Sequence, residues 1–133
     1  MTTGWVDLGS KKSPSWHYFG SNGEINGWKK ISGKWYYLSD YGMYKNGFRS
    51  IEGKTYYFAE NGVLQTGWMK IRDSWYYAEA SGEIVPKGWK IIDDKCYYFD
   101  YYGEMVTGLY YIDGDIYDFG SNGVCKKPPA YLM

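Results

Sequence analysis

The stretch GWKKISGKWYYLSDYGMYKNG, residues 27–47, decides the fold. Trp28–Ile31 and Lys34–Leu38 are rich in aromatic and β-branched residues, and Ser32-Gly33 between them is a two-residue turn signal that closes a hairpin. A turn there opposes Ile31 to Lys34, Lys30 to Trp35, Lys29 to Tyr36 and Trp28 to Tyr37. Alternation then puts Trp28, Trp35 and Tyr37 on one face, with Ile31, Tyr36 and Leu38 on the other. One hairpin cannot bury two apolar faces and is marginal in water, so stacking against neighbours is required. Ser39-Asp40-Tyr41-Gly42 is polar and reads as the loop to the next hairpin.

The same pattern runs through the whole chain. Gly followed by a large apolar residue recurs at Gly4-Trp5, Gly27-Trp28, Gly47-Phe48, Gly67-Trp68, Gly88-Trp89 and Gly108-Leu109. A second column follows at Trp16, Trp35, Thr55, Trp75, Cys96 and Ile116, in most repeats the first of a Trp-Tyr-Tyr-like triplet. Apolar columns also run through Leu8, Ile31, Ile51, Ile71, Ile92 and Ile112, and through Phe19, Leu38, Phe58, Ala78, Phe99 and Phe119. Turn signals sit at Glu52-Gly53, Arg72-Asp73, Asp93-Asp94 and Asp113-Gly114. The expected fold is therefore all-β, a solenoid of stacked β-hairpins with about six repeats of about 20 residues, starting near residues 4, 27, 47, 67, 88 and 108. Residues 1–133 read as a single module, in which 124–133 form a C-terminal tail and the last repeat, with Leu109 and Ile116 in place of Trp, reads as a cap.

Composition narrows the chemistry. Trp 7, Tyr 17 and Phe 5 make up 22% of the chain, so rings either pack in the repeats or line a binding surface. Fifteen Lys+Arg against fifteen Asp+Glu give a formal net charge of zero, which argues against nucleic acid as a partner. No apolar run approaches the roughly 20 residues of a membrane span, so no membrane insertion is expected. No signal peptide is read at the start. The single histidine, His17, occupies the middle position of a triplet and reads as a variant stacking residue. The carboxylates recur in turns and loops rather than converging, so no catalytic set is expected and the chain reads as not an enzyme. No metal is expected, because the His/Cys clusters and Asp-rich loops that hold one are lacking, and no cofactor is implied. Cys96 and Cys125 are read as unpaired.

Two indoles and a phenol from adjoining hairpins can enclose a space with electron-rich faces, the geometry that holds a quaternary ammonium group. The tryptophans pair within hairpins, Trp5 with Trp16, Trp28 with Trp35 and Trp68 with Trp75. Both GWKKISGKWYYLSDYGMYKNG and GWMKIRDSWYY match in type and spacing the choline-binding (cell-wall-binding) repeats of Gram-positive surface proteins, autolysins and phage lysins, which residues 4 to about 125 resemble. That resemblance implies binding of choline or phosphocholine of teichoic acid between consecutive repeats, by two Trp of one repeat and a Tyr of the next. Column arithmetic then expects three cages: Trp5, Trp16 and Tyr37; Trp28, Trp35 and Tyr57; Trp68, Trp75 and Tyr98. It implies location at the cell wall or surface of a Gram-positive bacterium or in a phage lysin, and it is compatible with a homo-oligomer or association with a full-length lytic enzyme.

Phe48, Thr55, Cys96, Leu109, Ile116 and Asp118 depart from the family pattern. Thr55 supplies no π face, and the pair Cys96 and Asp118 replaces a Trp and a Tyr, so the third and fifth interfaces are expected to lack complete cages. Glucan-binding repeats of glucansucrases and the repeats of large clostridial toxins look similar too and supply the alternative, carbohydrate binding. A third reading is a purely structural array without a ligand.

Overall fold

The computed structural model describes residues 3–10 and 13–132. Its contacts divide the chain into two compact units, one ending at Gln65 and one beginning at Thr66. Each holds three of the repeats read from the sequence.

In the first unit, β1 (Gly4–Asp7), β2 (Trp16–Gly20) and β3 (Gly23–Ile25) form one antiparallel sheet, β4 (Gly27–Ile31), β5 (Lys34–Ser39) and β6 (Gly42–Met43) form a second, and β7 (Gly47–Ile51) pairs with β8 (Lys54–Phe58). The second unit contains three hairpins: β9 (Gly67–Ile71) with β10 (Ser74–Ala78), β11 (Gly88–Ile92) with β12 (Lys95–Phe99), and β13 (Leu109–Ile112) with β14 (Asp115–Asp118). One short 3₁₀ turn, Ala130–Leu132, follows. Among the described residues no helix is long and apolar enough to cross a membrane.

The register of β4 and β5 is the one that the turn dictates: Ile31 faces Lys34, Lys30 faces Trp35, Lys29 faces Tyr36 and Trp28 faces Tyr37. Both turn residues take positive φ, 53° at Ser32 and 82° at Gly33, the mirror-image turn whose twist suits paired strands. The β11–β12 turn does the same with two aspartates, Asp93 at 51° and Asp94 at 65°, where L-residues are strained.

The first repeat carries a longer connection, yet its pairing is unshifted: Trp5 faces Tyr18 and Asp7 faces Trp16, as Trp28 faces Tyr37 and Lys30 faces Trp35. Asp7 absorbs the extra length. Its carboxylate accepts from the N–H groups of Gly9 at 2.9 Å and Ser15 at 2.8 Å, while Leu8 N–H donates to Ser15 O. The Ser15 and Gly9 amides hold the Asp7 carboxyl below the usual range. Leu8 is drawn into this connection and is exposed, unlike Ile51, Ile92 and Ile112 of the same sequence column, which are buried.

Leu38, Phe58, Ala78, Phe99 and Phe119 are buried almost completely. They lie on the Ile31-type face of each hairpin. Trp28 lies at 5.8 Å from Phe58, Trp68 at 6.0 Å from Phe99 and Trp89 at 5.6 Å from Phe119. Within each unit these interfaces thus bring the Trp-bearing face of one hairpin against the Ile-bearing face of the next.

Candidate functional site: aromatic cages between hairpins

The stacking rule decides which tyrosine completes each group of rings. Trp5 is met by Tyr36 at 5.1 Å and 71°, Trp28 by Tyr56 at 4.9 Å and 67°, and Trp68 by Tyr97 at 4.9 Å and 65°. These are the middle tyrosines of the triplets. Column arithmetic puts Tyr37, Tyr57 and Tyr98 there instead, and the structure places those rings elsewhere. Tyr37 packs on its cross-strand partner Trp28 at 5.2 Å and on Tyr44 at 4.8 Å. Tyr57 packs on Phe48 at 4.8 Å, and Tyr98 on Trp89 at 5.2 Å. The reason is parity. A residue directly opposite Trp28 shares its face, whereas the ring offered back by the next hairpin must come from that hairpin's other face, one position earlier.

Two of the ring groups border open cavities. One, of about 360 Å³, lies among Trp5, Trp16, Tyr36 and Met43. The other, of about 600 Å³, lies among Trp68, Trp75, Tyr97 and Met105. In the second, the two indoles stand almost perpendicular, 83° apart with centroids at 6.3 Å. The inner tryptophans Trp5, Trp28 and Trp68 are half-buried, whereas Trp16, Trp35 and Trp75 are exposed, so the outer wall of each group faces water. Burial, and then the charge of Asp93, pushes the Tyr97 phenol up, keeping a neutral ring in that wall.

The methionines are a wall that the triplets do not announce. Met105 N–H donates to Trp75 O at 2.8 Å, and Leu64 N–H donates to Trp35 O at 2.9 Å. This places an apolar side chain from the end of the next repeat beside the outer tryptophan. The sequence signal was present in the apolar residues after the loop glycines: Met43 one position after Gly42, and Leu64, Ile84, Met105 and Cys125 two positions after Gly62, Gly82, Gly103 and Gly123. A third repeat closes each cavity from the far side. Glu60 and Asn61 line the first, with Lys45, while Ser121 and Asn122 line the second, with Lys70, Asp73 and Thr107. Gly62 lets its loop press onto Met43: at φ 87° a Cβ there would stand 2.2 Å from the Met43 sulfur. Gly123 does the same over Met105, with φ 83° and 2.4 Å.

The fifth interface keeps the inner pair, Trp89 against Tyr117 at 5.0 Å, but closes. Cys96 stands in the outer Trp position and Cys125 in the Met position, joined by Cys125 N–H to Cys96 O at 2.8 Å. Both thiols are free and buried, in one cluster with Tyr98, Val106, Ile112 and Phe119. Burial pushes both thiols up, Cys96 further through Cys125. Asp118 does not occupy a ring position of this interface. Its carboxylate accepts from Gly120 N–H at 2.9 Å and pairs with Lys126 at 3.1 Å, which hold it below the usual range.

His17 is not a stacking ring either. It is buried, with Nδ1 on the Glu24 carboxylate and Nε2 3.0 Å from Ser15 Oγ. The Ser15 hydroxyl donates to Tyr41 O at 2.8 Å, so this Ser–His–Glu chain ties the first repeat to the second rather than arming a nucleophile.

The choline-binding repeat family matches residues 45–87, and the cell wall binding repeat family matches residues 3–25 and 26–41. Choline binding protein F from Streptococcus pneumoniae is similar over 93% of this chain, with 32% identity and a TM-score of 0.83, and the chain spans 42% of its length. CbpJ from Streptococcus pneumoniae is 29% identical, with a TM-score of 0.82 over 93% of this chain and 42% of its own. A multimodular pneumococcal cell wall endolysin from phage Cp-1, solved with choline, aligns with 100% of this chain and 40% of its own at 28% identity and a TM-score of 0.58. No curated protein matches the sequence. Matching repeats along the chain, hairpins stacked face to opposite face and similarity to pneumococcal choline-binding proteins agree: the chain belongs to the choline-binding, cell-wall-binding repeat family.

Proposed function

We propose that this chain is a non-catalytic anchor that binds choline and phosphocholine groups of cell-wall teichoic acid in its Trp–Trp–Tyr cages. The observation that carries the reading is the pair of open cavities, each lined by two indoles, a phenol and a methionine. A trimethylammonium group cannot donate or accept conventional hydrogen bonds. It is held by π faces and by apolar contact, and these walls supply both. The third group, Trp28, Trp35 and Tyr56 with Leu64, is built from the same positions and is assigned the same role.

Each ring contributes roughly 0.5–2 kcal/mol. After the cost of association, a single cage should hold choline at about millimolar affinity, about −4 kcal/mol. Firm attachment then comes from a polymer engaging several cages at once, with a gain on the order of 10²-fold or more. The chain would serve to place an accompanying catalytic domain, such as a cell-wall hydrolase, on the wall of a Gram-positive bacterium. Association with such an enzyme, or self-association on the polymer, belongs to the same proposal.

Choline titration followed through tryptophan indole N–H signals tests this directly. Saturation near millimolar at the Trp5/Trp16, Trp28/Trp35 and Trp68/Trp75 signals is expected. In parallel, free choline should release the chain from choline-bearing walls. Release by glucan and not by choline would replace this reading with carbohydrate binding.

A further inference from the structure

Resting on the choline reading, we propose that Asn61 and Asn122, each from the repeat after next, recognise the phosphate attached to choline and make the two open cages selective for a choline phosphoester over choline itself.

Both asparagines line the cavities beside the rings. Both are held in one orientation by their own backbone: Val63 N–H donates to Asn61 Oδ1 and Val124 N–H donates to Asn122 Oδ1, each at 3.1 Å. That bond engages the oxygen and leaves the Nδ2 amide, which carries two donors, without a partner among the described residues. Donors are mismatched to a quaternary ammonium, which offers no acceptor. They match the phosphate oxygens two carbons along the same ligand.

The charged walls do not make this distinction. Lys45 is balanced by Glu60 in the first cavity, and Lys70 by Asp73 in the second, from different positions in their repeats. What the cavities share at one repeat position is the asparagine before the loop glycine, Asn61-Gly62 and Asn122-Gly123. Those glycines set the loop close: the space a Cβ would need is taken by the sulfur of Met43 or Met105. The same contact that builds the apolar wall thus brings an asparagine to the cavity, in two places in the chain.

The test uses the full chain with choline chloride and phosphocholine as separate probes, read at the indole signals of Trp16 and Trp75. Asn61→Asp and Asn122→Asp keep the oxygen that caps Val63 or Val124 and replace the donor amide with a carboxylate oxygen. Wild type should bind phosphocholine several-fold tighter than choline. Each variant should lose about tenfold in phosphocholine affinity at its own cage, with choline affinity unchanged or raised, the size expected for one hydrogen bond to a charged group. Equal loss for both probes, or no loss for phosphocholine, overturns the inference while leaving choline binding standing. Absence of any tryptophan response to either probe in wild type overturns the choline reading, and this inference with it.

Discussion

The cage at Trp68 and the closed interface at Trp89 share a backbone and differ in what fills it. Each has an inner indole set edge-to-face against a tyrosine of the next repeat, at 4.9 Å from Tyr97 and 5.0 Å from Tyr117. Each indole lies over a fully buried phenylalanine, Phe99 or Phe119. Each has the same link from an end-of-repeat amide to the carbonyl of the outer-wall residue, 2.8 Å from Met105 to Trp75 and from Cys125 to Cys96. One is an open cavity and the other is core. The backbone therefore provides the same address at both interfaces, and two side chains decide its use: a Trp and a Met project far enough to keep space between them, while two cysteines let the layers close.

The largest expected effect concerns the closed side. Phe119→Ala removes a ring with no exposed surface beneath Trp89 and should cost about 3–5 kcal/mol in denaturant unfolding. A cost below about 1 kcal/mol would show that the final hairpin is not a packed layer in solution. Next is Cys96→Trp, which installs the missing outer ring where Cys96 has almost no room. Overpacking should cost about 1–3 kcal/mol without adding a choline site by calorimetry. If a full site appears at unchanged stability, ring identity alone sets the address and the comparison fails.

On the open side, Trp75→Ala should weaken choline at its cage by roughly 0.5–2 kcal/mol, or about 2- to 30-fold. Because Trp75 is 39% exposed, its melting temperature should move far less than that of Phe119→Ala. Cys96→Ala should leave choline stoichiometry untouched. The smallest effect separates the two turns. Asp94 holds φ 65° in the closed hairpin, so Asp94→Gly should stabilise by about 0.5–1 kcal/mol. Asp73→Gly in the cage hairpin should not stabilise, since the left-handed residue of that turn is Arg72, at 58°.

The hairpins were legible because their determinants are local. Ser32-Gly33 and its equivalents fix the turn, the turn fixes the pairing, and the pairing of Trp28 with Tyr37 follows. The outer and inner tryptophans were legible for the same reason. Tyr36, Tyr56 and Tyr97 are within reach of the same argument, since alternation puts Tyr36 on the Ile31 face, but column position alone ignores the parity of two facing layers. Asn61, Ser121 and Asn122 were not legible: nothing in a repeat of about 20 residues says which later loop bends back over it. His17 departs from the stacking reading because its partners Glu24 and Ser15 are polar groups outside the triplet, and column position compares only residues within it.

The loop that a later repeat adds to each cavity has a consequence for how the protein is made. The walls around Trp16 include Asn61, and those around Trp75 include Asn122, so a cavity is complete only when the ribosome has added about 45 residues beyond its outer tryptophan. Sites therefore mature in order along a growing chain, each waiting for the next two hairpins to emerge. A product shortened from its C-terminal end loses its latest site first and keeps the earlier one whole.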